Sequence, residues 1–112
     1  MSRLIKKVPV IMQMEAVECG AASLAMIMAY YGKWVPLEQL RAECGVSRDG
    51  ARSSNILKTA RRYGLEAKGK AIGAKALKKS GSFPCIIHWN FYHFVVLTGI
   101  KGRYAYINDP GA

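Results

Sequence analysis

Residues 13–32 of the chain read QMEAVECGAASLAMIMAYYG. Between Gly20 and Tyr31 the only polar groups are the hydroxyls of Ser23 and of two tyrosines, and no side chain is charged. A helix that is apolar on every side is a buried one, and this run is shorter than the roughly 20 apolar residues that cross a membrane. We therefore predict the buried central helix of a small domain, with Cys19 at or just before its first turn.

The predicted position of Cys19 has a chemical consequence. Unpaired backbone N–H groups and the positive end of the helix dipole favour the thiolate over the thiol, and the thiolate is the nucleophilic form of cysteine. A buried cysteine is more often an inert part of the core, which is how we interpret Cys44 and Cys85. Cys19 is therefore the candidate nucleophile.

The bulk composition is that of one globular domain spanning residues 1–112. The chain is 51% hydrophobic and 21% charged, which is ordinary for a globular protein and argues against disorder. Met1–Lys7 is basic, but the apolar run that follows it is too short for a secretory signal. Three cysteines without a close pair are poor material for disulfides. We expect a protein of the reducing cytoplasm.

Positive charge is concentrated in residues 48–79, which we call the basic sector. Ten basic residues stand there against Asp49 and Glu66, so the sector contributes +8 to the formal net charge of +10. The basic residues are Arg48, Arg52, Lys58, Arg61, Arg62, Lys68, Lys70, Lys75, Lys78 and Lys79. Such a sector suits an anionic partner (nucleic acid, an acidic peptide or an anionic membrane surface), and the alternative is a solvated face. Charge alone does not choose among these.

Periodicity and helix caps predict helices first and strands afterwards. The predicted elements before residue 81 are an extended edge segment at 1–12, the buried helix ending at Gly32, a short helix from Pro36 to Cys44, a third helix from about Asp49 to Tyr63 with Ser47 as N-cap, a strand at 65–72 and a helical turn at Lys75–Ser80. The predicted elements after it are strands at Pro84–Asn90, His93–Ile100 and Arg103–Asn108, joined by connections at Phe91–Tyr92 and Lys101–Gly102. This is an α+β layout, with a helical half at about 13–64 and a sheet half at about 65–112.

Cysteine-based catalysis needs a histidine to carry the proton, an acceptor to orient that histidine and donors for the oxyanion. His93 opens a strand, and Asp109 ends the strand that returns from the Lys101–Gly102 turn, so the two residues fall side by side. Gln13, six residues before Cys19, can place its amide N–H₂ beside the backbone N–H of that cysteine.

Two assignments stay open at the level of residue types. His88 lies in an apolar strand, where a histidine is more often a hydrogen-bonded part of the core. Asn108 competes with Asp109 as the orienting acceptor, because alternation along a strand points one of them toward the histidine and the other away.

Four motifs in this order resemble a known family. Residues 13–27 resemble the active-site signature of the papain-like cysteine peptidase domain that trims bacteriocin and other double-glycine leader peptides, usually at the N-terminus of a peptidase-containing ABC transporter. Residues 44–50 (CGVSRDG), residues 88–97 (HWNFYHFVVL) and residues 108–110 (NDP) match later landmarks of that domain. The resemblance implies a papain-like fold, with N-terminal helices packed on a C-terminal antiparallel sheet.

The resemblance also implies roles. Cys19 would be the nucleophile, His93 the general acid/base, Asp109 its orienter and Gln13 the oxyanion donor. The residue before the nucleophile is often Asp in the family and is Glu18 here, a change from which we expect little chemical effect. The family domain normally continues some tens of residues past the Asp-Pro dipeptide, so we expect this chain to be a fragment.

The family's substrate is the leader of a ribosomally made precursor peptide, cut after Gly-Gly or Gly-Ala. Such a site needs subsites too narrow for side chains beside the nucleophile, and an apolar groove that takes the leader as an amphipathic helix. The candidate groove residues are Met12, Met14, Tyr30, Tyr31 and Trp34. The expected partners are the leader peptide and the membrane and nucleotide-binding domains of a transporter, at the inner face of a bacterial membrane. No nucleic acid or cofactor is expected. No metal site is expected either, since no Cys-x-x-Cys or His-x-x-x-His pair is present.

Two rival functions remain. Residues 37–47 resemble the first helix and turn of a basic helix-turn-helix, followed by a helix carrying several arginines and lysines. Asp49 and Gly50 stand where a recognition helix would begin, and they weaken this reading. The other rival is a catalytically inactive domain that only docks leaders, against which the presence of Cys19, His93 and Asp109 argues.

Overall fold

Helices precede a small antiparallel sheet in the computed structural model, which describes residues 5–71, 73–89 and 93–111. The helical segments are a 3₁₀ turn at Ala16–Glu18, α1 at Cys19–Tyr30, α2 at Leu37–Glu43, α3 at Ser53–Arg62 and α4 at Ala74–Ser80. The strands are β1 at Cys85–Trp89, β2 at His93–Lys101 and β3 at Tyr104–Asn108, in the spatial order β1-β2-β3. The predicted α+β layout is confirmed.

The first long helix, α1, is the buried centre that its composition predicts. Every residue from Cys19 to Ala29 is buried. Residues along the length of α1, from Cys19 to Met28, pack with α2, α3 and Phe94 in one apolar cluster, and a second cluster joins Met26 to Val96 in the middle strand. The helix stops before Gly32, whose φ of 85° lies in the left-handed region that a glycine adopts without strain.

The start of α3 differs from the prediction. The helix begins at Ser53 and not at Asp49, so Ser47 is not its N-cap. Ser47 and Gly50 instead exchange backbone hydrogen bonds of 3.2 and 2.9 Å, and the Ser47 hydroxyl accepts the Asp49 N–H at 3.3 Å. The same short polar side chains that cap helices also close turns, and here the turn prevails because Gly50 supplies its positive φ of 87°.

The connection between α2 and α3 excludes a helix-turn-helix. It spans residues 44–52, nine residues, whereas the motif joins its helices by a turn of three or four. The second helix therefore does not sit at the spacing that a recognition helix needs.

The strand predicted at 65–72 is wrong for the part of it that the structure describes, since residues 65–71 carry no regular secondary structure. The Ala67 carbonyl accepts hydrogen bonds from Arg61 Nε and Nη2 at 3.0 and 2.7 Å. The Arg61 guanidinium therefore occupies a backbone acceptor that a neighbouring strand could have used. The loose alternation of apolar and polar residues was not sufficient to predict a strand here.

The sheet is a meander whose second hairpin turns one residue later than predicted. Lys101 pairs with Tyr104, so the two-residue loop is Gly102–Arg103, and Gly102 has a φ of 61°. The connection predicted at Phe91–Tyr92 lies outside the described residues.

The β2–β3 ladder contains a bulge. Gly99 stands opposite Tyr106 and Leu97 opposite Ile107, so Thr98 has no residue opposite it. The Thr98 hydroxyl donates to the Tyr106 carbonyl at 3.0 Å and holds the irregular strand in place.

The segment predicted to be extended at 1–12 is described from Ile5 onward, and this part lies along the sheet. Ile5 forms an isolated antiparallel bridge with Gly99, and the Lys6 N–H donates to the Thr98 carbonyl at 2.9 Å. Among the helices of the described residues, none combines the length and the hydropathy that crossing a membrane would take.

Candidate active site

Cys19 is the first residue of α1, where its thiol lies against the middle strand. Its side chain is 5% exposed, and the Phe94 N–H points at Sγ from 3.4 Å. The close approach of helix and strand depends on Gly20, because a Cβ there would lie 2.9 Å from Ile56 Cδ1 and 3.2 Å from Phe94 Cδ2. The glycine after the cysteine therefore lets α1 bring the thiol onto β2.

His93 and Asp109 are joined by a hydrogen bond. Nε2 of His93 lies 2.8 Å from Oδ1 of Asp109, and the two side chains are 28% and 30% exposed. The carboxylate uses one ring nitrogen, which leaves Nδ1 as the nitrogen that can exchange a proton with a neighbouring group. The residue after His93 contacts the thiol of Cys19, so the two halves of the site meet where β2 begins.

The bulge at Thr98 decides which of the two candidate acceptors faces the histidine. With the observed register Asn108 stands opposite Val96, which places Asp109 opposite Val95, on the same face of β2 as His93. Uninterrupted pairing from the hairpin turn would instead place Asp109 opposite Val96 and turn it to the other face.

Asn108 accordingly serves a different purpose. Its amide Nδ2 donates to the Val8 carbonyl at 3.0 Å and ties the N-terminal segment to the edge strand. The sequence left open whether Asn108 or Asp109 contacts His93. In the structure the contact is made by Asp109.

The pKa of Asp109 lies below its ordinary value of 3.8. Partial burial acts to raise this pKa, but it is outweighed by two hydrogen bonds and by the favourable charge interaction with the His93 imidazolium. One hydrogen bond comes from the Gly111 backbone N–H at 2.9 Å and the other from His93. Asp109 is thus an ionised acceptor that fixes the orientation of the ring.

Gln13 belongs to the same corner of the molecule. Its backbone N–H donates to the Pro110 carbonyl at 2.9 Å, next to the Asp109 carboxylate. Its side-chain Oε1 is buried without a hydrogen-bond partner, and a Cβ on Gly111 would lie 3.5 Å from it. The amide oxygen of Gln13 is thus enclosed beside Gly111.

The five predicted groove residues fall into two sets. Met12 and Met14 flank Gln13 and are 45% and 86% exposed. Tyr30, Tyr31 and Trp34 lie at or beyond the opposite end of α1, with Tyr31 and Trp34 56% and 69% exposed. At 1.5 Å per residue, this end is on the order of 16 Å from Cys19, so the second set is distant from the thiol.

The other histidine, His88, and the other two cysteines, Cys44 and Cys85, are not candidate catalytic residues. His88 is exposed, so its interpretation as a core histidine is wrong; its ring stacks on Phe94 with a centroid separation of 4.1 Å. Burial raises the pKa of the Cys85 thiol, and it also raises that of Cys44 against the opposing hydrogen bond from Thr59. Both thiols are held in the unreactive protonated form.

One residue of the site was missed from the sequence. Glu18, directly before the cysteine, is 4% exposed and accepts hydrogen bonds from the backbone N–H groups of Met14 and Glu15. The signal was present as the Glu15-x-x-Glu18 spacing ahead of an apolar helix, which is typical of a capping arrangement.

A cysteine at the head of a buried helix, beside a histidine–carboxylate pair on an antiparallel sheet, defines a cysteine peptidase of the papain-like fold. The profile of the Peptidase C39 family matches residues 7–112. The chain belongs to the Peptidase C39 family.

Relatives of this chain are export proteins of bacteria. It is 38% identical over 105 residues to the colicin V secretion/processing ATP-binding protein of Escherichia coli, a match that covers 94% of this chain and 15% of the relative. It is 31% identical over 106 residues to the lactococcin-G-processing and transport ATP-binding protein of Lactococcus lactis subsp. lactis, covering 90% of this chain and 15% of the relative. The chain thus spans about 15% of the length of these relatives.

Solved structures agree with the family assignment. A double glycine motif protease from an AMS/PCAT transporter, solved in complex with the leader peptide, superposes with a TM-score of 0.94 at 70% identity, covering 99% of this chain and 79% of that one. The peptidase domain of Streptococcus ComA, at 23% identity and a TM-score of 0.78, covers 91% of this chain and 78% of that one and shares the fold.

Proposed function

We propose that this domain is the endopeptidase that removes the leader from a ribosomally made precursor peptide after a Gly-Gly or Gly-Ala pair, as one step of export. The observation that carries the proposal is the His93–Asp109 hydrogen bond of 2.8 Å on the strand whose next N–H contacts the Cys19 thiol. An assembled pair beside a thiol supports a working enzyme over a domain that only docks leaders.

In the proposed reaction His93 takes the thiol proton on Nδ1, and Cys19 Sγ attacks the carbonyl carbon of the second residue of the Gly-Gly or Gly-Ala pair. The oxyanion that forms accepts hydrogen bonds from Gln13 Nε2 and from the Cys19 backbone N–H, which has no partner within α1 because it belongs to the first turn. Asp109 keeps the imidazolium oriented and stabilises its charge.

The tetrahedral intermediate then collapses. The C–N bond breaks as His93 gives its proton to the departing amine of the core peptide, and the leader remains bound to Sγ as a thioester. Water attacks the thioester carbon with His93 as general base, the C–S bond breaks, and the leader carboxylate and the free thiol are regenerated. The chain needs no cofactor for these steps.

The proposed substrate class is supported by the proteins that resemble this chain. The double glycine motif protease that is 70% identical to this chain was solved in complex with the leader peptide. Met12 and Met14 are the exposed apolar groups nearest in sequence to Gln13 and would contact hydrophobic leader residues.

The functions of the relatives also suggest where the domain works. They are secretion, processing and transport proteins that bind ATP, and we propose that this domain works beside the membrane and nucleotide-binding parts of such a transporter, at the inner face of a bacterial membrane. The leader peptide is its direct partner, and nucleic acid is not.

Cleavage of a synthetic leader–core peptide tests the proposal. The chain is expected to release the leader at the double-glycine bond, as seen by mass spectrometry, and Cys19→Ala is expected to release none. A peptide with Val in place of both glycines should stay intact, and its affinity for the chain should equal that of the original peptide. Cleavage by the Cys19→Ala protein, or cleavage at other bonds, would contradict the proposal.

A further inference from the structure

A buried carboxylate lies inside the turn that connects Gln13 to Cys19. Glu18 Oε1 accepts the backbone N–H groups of Met14 and Glu15, both at 2.8 Å. A carboxylate that is 4% exposed is costly unless its oxygens are bonded, so these contacts are part of what keeps it there.

The second oxygen of this carboxylate is bonded from another helix. Arg41 Nη1 of α2 lies 3.2 Å from Glu18 Oε2, and Arg41 Nη2 lies 3.1 Å from the exposed carboxylate of Glu15. The Glu18 carboxylate is thereby paired with a guanidinium directly before Cys19 in the chain.

The position of the two backbone donors is what matters for the site. The Met14 N–H belongs to the peptide group that follows Gln13, and the Gln13 N–H is itself bonded to the Pro110 carbonyl at 2.9 Å. Gln13 is therefore held on both sides of its Cα, by the Pro110 carbonyl in the turn after β3 on one side and by Glu18 on the other. The Glu18 backbone N–H also donates to the Glu15 carbonyl at 3.0 Å, which closes the turn leading into Cys19.

We propose that Glu18 is a positioning residue that sets the Gln13 side chain in the oxyanion hole, with Arg41 as its anchor on α2. The proposal rests on the proposed function of Gln13 as oxyanion donor. Donors that are fixed before the reaction stabilise an oxyanion best, and a displacement of about 1 Å can lower a rate by about a hundredfold. Glu18 touches neither substrate nor thiol in this role and acts only through the turn.

Kinetics of matched variants test the proposal. Glu18→Gln keeps one oxygen acceptor and removes the charge that holds Arg41, and we expect kcat for the leader–core peptide to fall about tenfold with KM within about twofold. Glu15→Gln is the control, because it changes the other carboxylate on the same arginine, which is 59% exposed, and should leave kcat near the wild-type value.

A double-mutant cycle separates positioning from a merely structural role. Gln13→Ala alone should lower kcat by about a hundredfold, and adding Glu18→Gln to it should lower kcat no further, since there is no donor left to position. An equal loss from Glu18→Gln in both backgrounds would overturn the proposal, as would an unchanged kcat in the single variant. If Glu18→Gln fails to fold, Arg41→Gln replaces it in the same cycle with the same expected loss of additivity, because Arg41 is 38% exposed and is cheaper to change.

A second pair of readouts keeps this inference distinct from the proposed function. Hydrolysis of p-nitrophenyl acetate uses the same thiol and oxyanion hole without a leader, so the cycle is repeated with that ester. Amide hydrogen exchange of Met14 and Glu15 should speed up in Glu18→Gln and stay slow in Glu15→Gln. A wild-type chain that hydrolyses the ester and leaves the leader–core peptide intact would reject the leader specificity and still decide the role of Glu18.

Discussion

At the scale of single residues, the histidine–carboxylate pair makes the behaviour of the site depend on pH in a defined direction. The pKa of Asp109 is lowered in the folded chain, so the unfolded chain binds its proton more tightly. Its stabilising contribution is complete above the unfolded pKa and disappears as the pH falls through the folded value. Because the carboxylate is about a third exposed, salt weakens this contribution.

The variant Asp109→Asn should reveal this pH dependence of the stability. The free energy of unfolding of wild type should exceed that of the variant at neutral pH, and the difference should shrink below about pH 3.8, the ordinary value for this carboxyl. Urea titrations at several pH values measure it, and kcat should fall at least about tenfold because the ring loses its orienting charge. A difference in stability that grows as the pH falls would contradict the assignment.

Thiol reactivity offers a second test among individual residues. Burial raises the pKa of both Cys44 and Cys85, so iodoacetamide near neutral pH should alkylate Cys19 at least about tenfold faster than either. Peptide mapping by mass spectrometry gives the three rates, and Cys19→Ala should show only slow labelling. Faster labelling of Cys85 than of Cys19 would remove the reason for regarding Cys19 as the nucleophile.

At the scale of secondary-structure elements, the contact of α1 with α3 and β2 is set by a missing side chain. In Gly20→Ala the new Cβ would sit 2.9 Å from Ile56 Cδ1 and 3.2 Å from Phe94 Cδ2. The strain should exceed the gain of up to about 1 kcal/mol that alanine brings to a helix, giving a net loss of about 1 kcal/mol in urea denaturation.

The variant Ile56→Val tests whether the contact with Ile56 Cδ1 causes the loss of stability in Gly20→Ala. It removes the Cδ1 atom in the way, so the loss caused by Gly20→Ala should be smaller in the Ile56→Val background than alone, and the two changes should be non-additive. Simple additivity would mean that the packing between these elements does not depend on Gly20.

The bulge in β2 is the other element on which the site depends. Thr98→Val removes the hydroxyl that donates to the Tyr106 carbonyl and keeps the shape of the side chain, so it should cost about 1 kcal/mol. Thr98→Ser retains the donor and is the matched control. Equal stability of the valine and serine variants would show that the hydroxyl does not hold the bulge.

These elements also show what could be read from the sequence and what could not. The burial of α1 was predictable because it has no charged face, and the pairing of His93 with the Asn108–Asp109 end followed from the length of one hairpin. The choice of Asp109 was not readable from local patterns, because one extra residue in β2 reverses the faces and such a bulge leaves no period in the sequence. The late start of α3 reflects a real competition, since Ser47 suits a helix cap and a turn equally well.

At the scale of the whole molecule, most of the net positive charge is concentrated in the basic sector, and the candidate catalytic residues do not explain this concentration. Ten basic residues lie within residues 48–79, and the described side chains of Lys75, Lys78 and Lys79 on α4 are exposed. Lys78 Nζ donates to the Gly102 carbonyl at 2.7 Å and serves the fold. Lys75 and Lys79 are therefore the positions on this helix where charge can be changed with least effect on structure.

If the sector attracts acidic leaders, association should weaken as salt screens the charges. For an acidic leader–core peptide, kcat/KM is expected to fall several-fold between about 0.01 and about 0.5 M salt, with kcat unchanged, because steering acts on encounter and not on the chemical step. Lys75→Glu combined with Lys79→Glu should lower kcat/KM at low salt and flatten its salt dependence, whereas a peptide with a neutral leader should respond to neither change. The same kcat/KM for the acidic peptide at both salt concentrations would instead assign the sector to a solvated face, and would leave recognition of the leader to the apolar residues around Gln13.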